Sequence, residues 1–190
     1  MIEKITRAYV DKLVEHGVIS NNDADVYMYG FYQTVMFLLN IITTTCIAVL
    51  FHQFIPCLLL NLFYIPIRMC AGGYHASTPL RCYVISVCMI IGLLFVIRWI
   101  NFSYIISWMI IMFSCIGIMI MAPVETTNNP LDDDEVLVYK KRTYIVLTFE
   151  TIMSLLFTYL LYDQFLEIVS LALITELGML LIGKLCLRNR

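Results

Sequence analysis

The chain has 190 residues, of which 61% are hydrophobic and 14% charged, with a formal net charge of −2. A typical soluble domain carries about 25% charged residues. The low charge excludes a disordered chain, the pI of about 5.9 speaks against a nucleic-acid binder, and a soluble fold of this size has too much surface to hide so many apolar side chains. The class that remains is an all-α integral membrane protein.

Ile2, Ile5, Tyr9 and Leu13 recur at helical spacing, with Lys4, Arg7, Asp11 and Lys12 between them. This predicts an amphipathic helix over 2–16, lying on the bilayer surface or against the rest of the protein, within an N-terminal unit of residues 1–25. No apolar h-region follows these charges, so a cleaved secretory signal is not expected. A polar patch covers 20–25. Six apolar segments follow, at 34–51, 54–67, 83–97, 102–124, 143–162 and 165–183. A spanning helix needs about 20 residues, within a range near 17–25. Four segments satisfy this. The second and third are short, at 14 and 15 residues. The third lengthens if Cys82, Arg98 and Trp99 are counted, and the second is open to a re-entrant reading.

With six spans and both ends inside, eleven of the twelve basic residues fall on the inner side and only Arg98 on the outer. The positive-inside rule thus predicts a multi-pass cell-membrane protein with both termini, loop 68–82 and loop 122–142 in the cytoplasm. The acidic run 132–135 reads as a solvated loop. Of the seven cysteines, Cys46, Cys57, Cys115 and Cys186 read as small buried hydrophobes.

Loop 68–82 is the densest in reactive groups. It holds Arg68, Cys70, Gly72, Gly73, Tyr74, His75, Ser77, Thr78, Pro79, Arg81 and Cys82. Gly72 and Gly73 permit a tight turn or a close backbone approach. Thr78 followed by Pro79 is a helix start signal. Cys82 then falls in the first turn, where the positive end of the helix favours a thiolate. A free thiol is only a few per cent ionised at neutral pH, so this placement and a base at His75 would suit nucleophilic acyl transfer. On spacing alone, a backbone-bonded loop histidine beside an inert cysteine is also open. A metal site of Cys70, His75 and Cys82 lacks a paired ligand motif and a fourth ligand, so no metal or other cofactor is expected.

The pattern of Arg68, Gly73, Tyr74, His75 and Cys82 resembles the signature of the AgrB family. These are membrane peptidases that process the AgrD precursor of a cyclic autoinducing peptide in Gram-positive bacteria. Ala122, Pro123, Val124 and Glu125, with Asn129, Pro130 and Leu131 after them, are similar to that family's Ala-Pro…Pro loop. The chain length, the polar N-terminal helix and a late carboxylate at Glu176 also fit. The family's loop is often Lys-rich, whereas here Asn128 and Asn129 precede Asp132, Asp133, Asp134 and Glu135. That departure argues against a simple basic docking patch for an acidic substrate tail.

The resemblance implies that His75 is the general base and later the acid, and Cys82 the nucleophile. An acyl-enzyme thioester on Cys82 would then be attacked by an internal cysteine or serine of an AgrD-like peptide, closing a thiolactone or lactone. Arg68, Gly73, Ser77, Pro123, Glu125 and Glu176 are expected to support the site or bind substrate. Glu150 and Glu176 fall within spans, where carboxylates are costly and face the bundle interior. They also carry the alternatives of a small transporter or channel subunit. A structural or sensor subunit is the third class. The expected partners are the precursor peptide and the lipid bilayer, with no nucleic acid. A homodimer could form through small-residue surfaces at Gly178 and Gly183.

Overall fold

The computed structural model describes residues 2–74, 76, 78–125 and 131–188. Among these it has seven helices and no strand. They are α1 (Ile2–Glu15), α2 (Ala24–Leu50), α3 (Phe54–Ala71), α4 (Pro79–Trp99), α5 (Tyr104–Met121), α6 (Asp133–Tyr159) and α7 (Asp163–Arg188). The protein is an all-α membrane protein. Five helices, α2 to α5 and α7, are long and apolar enough to cross a bilayer. α6 is equally long but carries seven charged residues, six of them in its first ten positions.

The short second segment is one continuous 18-residue helix, with Pro66 inside it. At 1.5 Å per residue it is about 27 Å long, close to the thickness of a hydrocarbon core. The third segment gains a turn at its start, because Thr78 accepts a hydrogen bond from Arg81 N and Pro79 takes the first helical position. The acidic run is not loop but the start of α6. Asp132 and Glu135 form a reciprocal capping box, and carboxylates are favoured at a helix N-terminus.

The long helices alternate in direction. At one end of the bundle, Arg98 of α4 reaches Phe51 O after α2, and Trp108 Nε1 of α5 donates to Thr158 Oγ1 of α6 at 2.9 Å. At the other end, the segments following α3 and α5 pair with each other and with α7. That second end therefore gathers residues 72–74, residues 122–125 and the end of α7.

α7 is the central helix. Residues 166–173 are buried without interruption, which is the mark of a helix packed all round. α5, α3 and α6 pack against it, while α2 and α4 pack on each other at the flank. α1 lies against α2, with Val10 buried and Tyr9 edge-on to Phe31 at 5.0 Å between ring centroids. Ile5 and Tyr9 stay exposed.

Candidate functional site

The site begins with two loop segments that are distant in sequence. Val124 N donates to Ala71 O at 2.8 Å, Gly73 N donates to Val124 O at 3.3 Å, and Gly72 and Val124 form a parallel bridge. The Ala122–Pro123–Val124 stretch is thus stitched to the start of the reactive loop. The stitch depends on Gly72, which has φ +79°, because a Cβ there would strike Val124 O. Gly73, at φ +111°, is equally confined, since a Cβ would meet the Arg68 guanidinium and Met179 O. The glycine pair serves the close backbone approach that its sequence allowed.

α7 anchors the loop from a third side. Tyr74 N donates to Met179 O at 2.9 Å. Gly183 makes room for this contact: a Cβ there would lie 2.8 Å from Tyr74 N, 2.9 Å from Gly73 C and 3.1 Å from Gly73 Cα. Gly183 is therefore used inside the chain and is not available as a dimer surface. Gly178 has open space around it.

Arg68 completes the anchoring. Its guanidinium donates to Gly72 O and Tyr74 O, and lies 3.8 Å from Glu176 Oε2. A planar fork that reaches two carbonyls and a carboxylate is a role lysine cannot reproduce. Glu176 is fully buried. Its carboxyl group faces Arg68, and among the described residues Arg68 links it to the loop. Glu150 is also buried, and both its carboxylate oxygens lack hydrogen-bond partners among the described residues. Glu167, which the sequence reading passed over, is buried near the opposite end of α7.

Cys82 sits in the first turn of α4, half-buried. It lines a cavity of about 270 Å³ between α2, α3 and α4, lined at its loop end by Arg68, Tyr74, Ala76 and Pro79. His75 and Ser77 lie outside the described residues. Tyr74 and Ala76, the neighbours of His75, both line the cavity that Cys82 lines. Glu125 is exposed and accepts from Leu131 N at 3.3 Å, so it closes its own loop and is not part of the cavity wall. Pro123 takes part through its place beside the Val124 bridge.

The arrangement therefore joins Arg68, Gly73, Glu176 and the Pro123 segment into one frame and puts Cys82 across from it. The sequence reading missed Tyr74 as an anchor, Val124 as a bridge partner and Gly183 as a contact. It also missed Asn40 and Asn61, which line the cavity. Those two carried a usable signal, as amides inside apolar spans.

A sequence model described as accessory gene regulator B matches residues 4–182, nearly the whole chain. The chain belongs to the accessory gene regulator B family. A putative AgrB-like protein of Clostridium perfringens (strain SM101 / Type A) is 25% identical over 194 residues, covering 98% of this chain and 85% of the relative. The accessory gene regulator protein B of Staphylococcus aureus (strain bovine RF122 / ET3-1) is 30% identical over 131 residues, covering 67% of this chain and 68% of its own. That of Staphylococcus carnosus (strain TM300) is 26% identical over 137 residues, covering 72% and 66%. No solved structure matches the chain.

Proposed function

We propose that this member of the accessory gene regulator B family is a membrane-embedded cysteine endopeptidase. Its substrate would be an AgrD-like precursor peptide, cut at the junction between peptide core and C-terminal tail. The observation that carries this reading is Cys82. It stands in the first turn of a capped helix, at a cavity lined at one end by a loop fixed from three sides.

In this mechanism His75 takes the Cys82 proton, and the sulfur bonds to the scissile carbonyl carbon. The peptide C–N bond breaks, and His75 passes the proton to the departing amine of the tail. A thioester on Cys82 remains. An internal thiol or hydroxyl of the bound core then attacks it, the bond to Cys82 breaks, and Cys82 recovers its proton. One thioester replaces another in the thiolactone case, so ring closure needs no external energy source. At the start of α4, Pro79 has no N–H and those of Arg81 and Cys82 go to Thr78, so the Leu80 N–H is the one left to receive the oxyanion there. Water must be kept from the thioester, or hydrolysis competes with closure.

The distribution of basic residues supports a cytoplasmic position for the reactive loop and both termini. Residues 1–25 act as the interfacial unit, 68–82 as the catalytic loop and helix start, and 122–142 as the second cytoplasmic segment.

Co-expression with a candidate precursor, followed by mass spectrometry of the products, tests the reading. Cys82→Ala and His75→Ala are expected to stop tail removal. Cys82→Ser is expected nearly to stop it, because an alcohol is not ionised at neutral pH. Intact processing in both alanine variants would sink the proposal.

A further inference from the structure

The cavity beside Cys82 runs inward from the reactive loop. From Cys82 to Met89 and Ile90, its wall follows two turns of α4, about 12 Å. Among the described residues Arg68, at the loop end, is the one charged side chain in its lining, and the wall farther along α4 is apolar except for amides and hydroxyls. Asn61 of α3 spends its Nδ2 on Cys57 O at 2.9 Å, a partner in its own helix. Among the described residues, the side-chain amide of Asn40 in α2 has no hydrogen-bond partner, while its backbone oxygen accepts from Thr44 Oγ1 at 2.8 Å. The Asn40 amide and the Asn61 Oδ1 thus remain for something inside the cavity. Polar side chains at membrane depth are costly unless they find partners. A lipid tail has nothing to offer them, whereas a peptide backbone offers N–H and C=O groups.

We infer that this cavity holds the apolar residues on the acyl side of the scissile bond, with Asn40 and Asn61 binding their backbone. The inference rests on the proposed peptidase reading and specifies its substrate. The acyl part stays bonded to Cys82 after the first step and must be held away from water. The tail must leave, and the deep wall offers nothing to a charged tail. An apolar cavity of 150 Å³ accepts benzene, so about 270 Å³ takes one aromatic or two smaller aliphatic side chains. Peptides with leucine or phenylalanine before the cut should therefore outpace those with alanine, and aspartate there should be refused.

The test uses the full chain in lipid nanodiscs. Cys82 is alkylated with N-methyl and N-phenylethyl chloroacetamide, and the modified position is mapped by mass spectrometry. The phenylethyl reagent is expected to react at least about tenfold faster, the scale of apolar-pocket discrimination. Ser86→Trp, which fills the cavity without altering partitioning of the reagents into lipid, is expected to remove that advantage. Met89→Ala, which enlarges it, is expected to shift the preference to a naphthylethyl reagent, and it serves if Ser86→Trp does not fold. An equal ratio in wild type and variants, including a ratio near one because a lipid tail fills the space, overturns the inference. The two readings fail separately. If Cys82→Ala leaves precursor processing intact while the alkylation preference still collapses in Ser86→Trp, the peptidase reading falls and the cavity's apolar selectivity stands. If processing needs Cys82 but the preference is flat, the cavity assignment falls alone.

Discussion

The α3–α5–α7 core and the α2–α4 flank are built on different principles. Of the most apolar stretch of α7, 61% is buried, against 11% in α2 and 17% in α4. The core is cross-tied at one end by the Ala71–Val124, Gly73–Val124 and Tyr74–Met179 backbone bonds and by Arg68. The flank has a cavity where the core has packing, and a hydroxyl pair, Thr43 with Tyr83 at 2.8 Å, ties α2 to α4. The reactive loop leaves the core and enters the flank at Thr78. One end of the site is thus fixed, and the other end, carrying Cys82, borders open space that a substrate can fill. This division would suit the proposed reaction, which needs one side of the site held while peptides are admitted at the other.

The largest break in the comparison should come from a single methyl group. Gly183→Ala puts a Cβ within about 3 Å of loop backbone, and neither the loop nor α7 has a flexible side chain there to yield. The Tyr74–Met179 bond should be lost and the loop displaced. A misplacement of about 1 Å costs on the order of 100-fold in rate, so precursor processing is expected to fall by that factor. Gly178→Ala, five residues earlier in the same helix, meets nothing within 4 Å, and processing should be unchanged. Equal behaviour of the two variants would show that the core does not fix the loop.

Arg68 tests the same frame through charge. Arg68→Lys keeps the charge but loses the fork, and should impair processing strongly. Arg68→Ala should be worse, because it also leaves Glu176 buried without its partner. In soluble proteins, breaking such a pair by removing one side costs about 3–5 kcal/mol. Glu176→Gln keeps the guanidinium on Gly72 O and Tyr74 O and should be milder. Combining Glu176→Gln with Arg68→Ala should recover part of the Arg68→Ala loss in thermal unfolding, with a coupling of about 0.5–3 kcal/mol. Strict additivity would mean that the pair does not interact.

The flank half was more legible in the sequence than the core half, because its determinants are local. Thr78 and Pro79 announce the start of α4 through capping chemistry, and six of the seven helices follow from apolar runs bounded by turns. Capping also explains the main misreading: the acidic run looked like solvated loop, but Asp132 and Glu135 are a helix start. The core frame joins residues far apart in the chain. Nothing local in Val124 points to Gly72, and Arg68 has the same sequence context as a positive-inside anchor. Gly183 looked like a free small-residue surface because lipid-facing and helix-facing positions of a span are equally apolar. The central place of α7 was hidden for the same reason. Glu176 was legible as an intramembrane carboxylate, but its partner was not.

Where the loop passes from core to flank, effects should become modest. Thr78→Ala removes the cap that accepts from Arg81 N at 3.4 Å. Loss of a threonine N-cap costs about 1 kcal/mol. The first turn of α4 should fray, and alkylation of Cys82 by iodoacetamide should change by a few-fold while overall thermal stability falls only slightly. A Thr78→Ala variant that loses all processing without altering the alkylation rate would mean that Thr78 acts on substrate and not on the helix start.

The smallest effect should lie at the tie between α2 and α4. Thr43→Val keeps the shape of the side chain and removes the hydroxyl that pairs with Tyr83; Thr43 lies outside the cavity lining, and Tyr83, which is part of it, loses its tie to α2. Interhelical hydrogen bonds in membranes average about 0.6 kcal/mol, so processing should drop less than about threefold. The direction matters more than the size. If the flank is the adaptable side, loosening it should hurt small substrates more than large ones, because a bulky apolar residue can itself brace α2 against α4. Measuring Thr43→Val with alanine and phenylalanine before the cut compares the two. A uniform loss across both substrates would indicate that the flank is as rigidly set as the core, and that Cys82 is positioned by α2 and not by what fills the space between the helices.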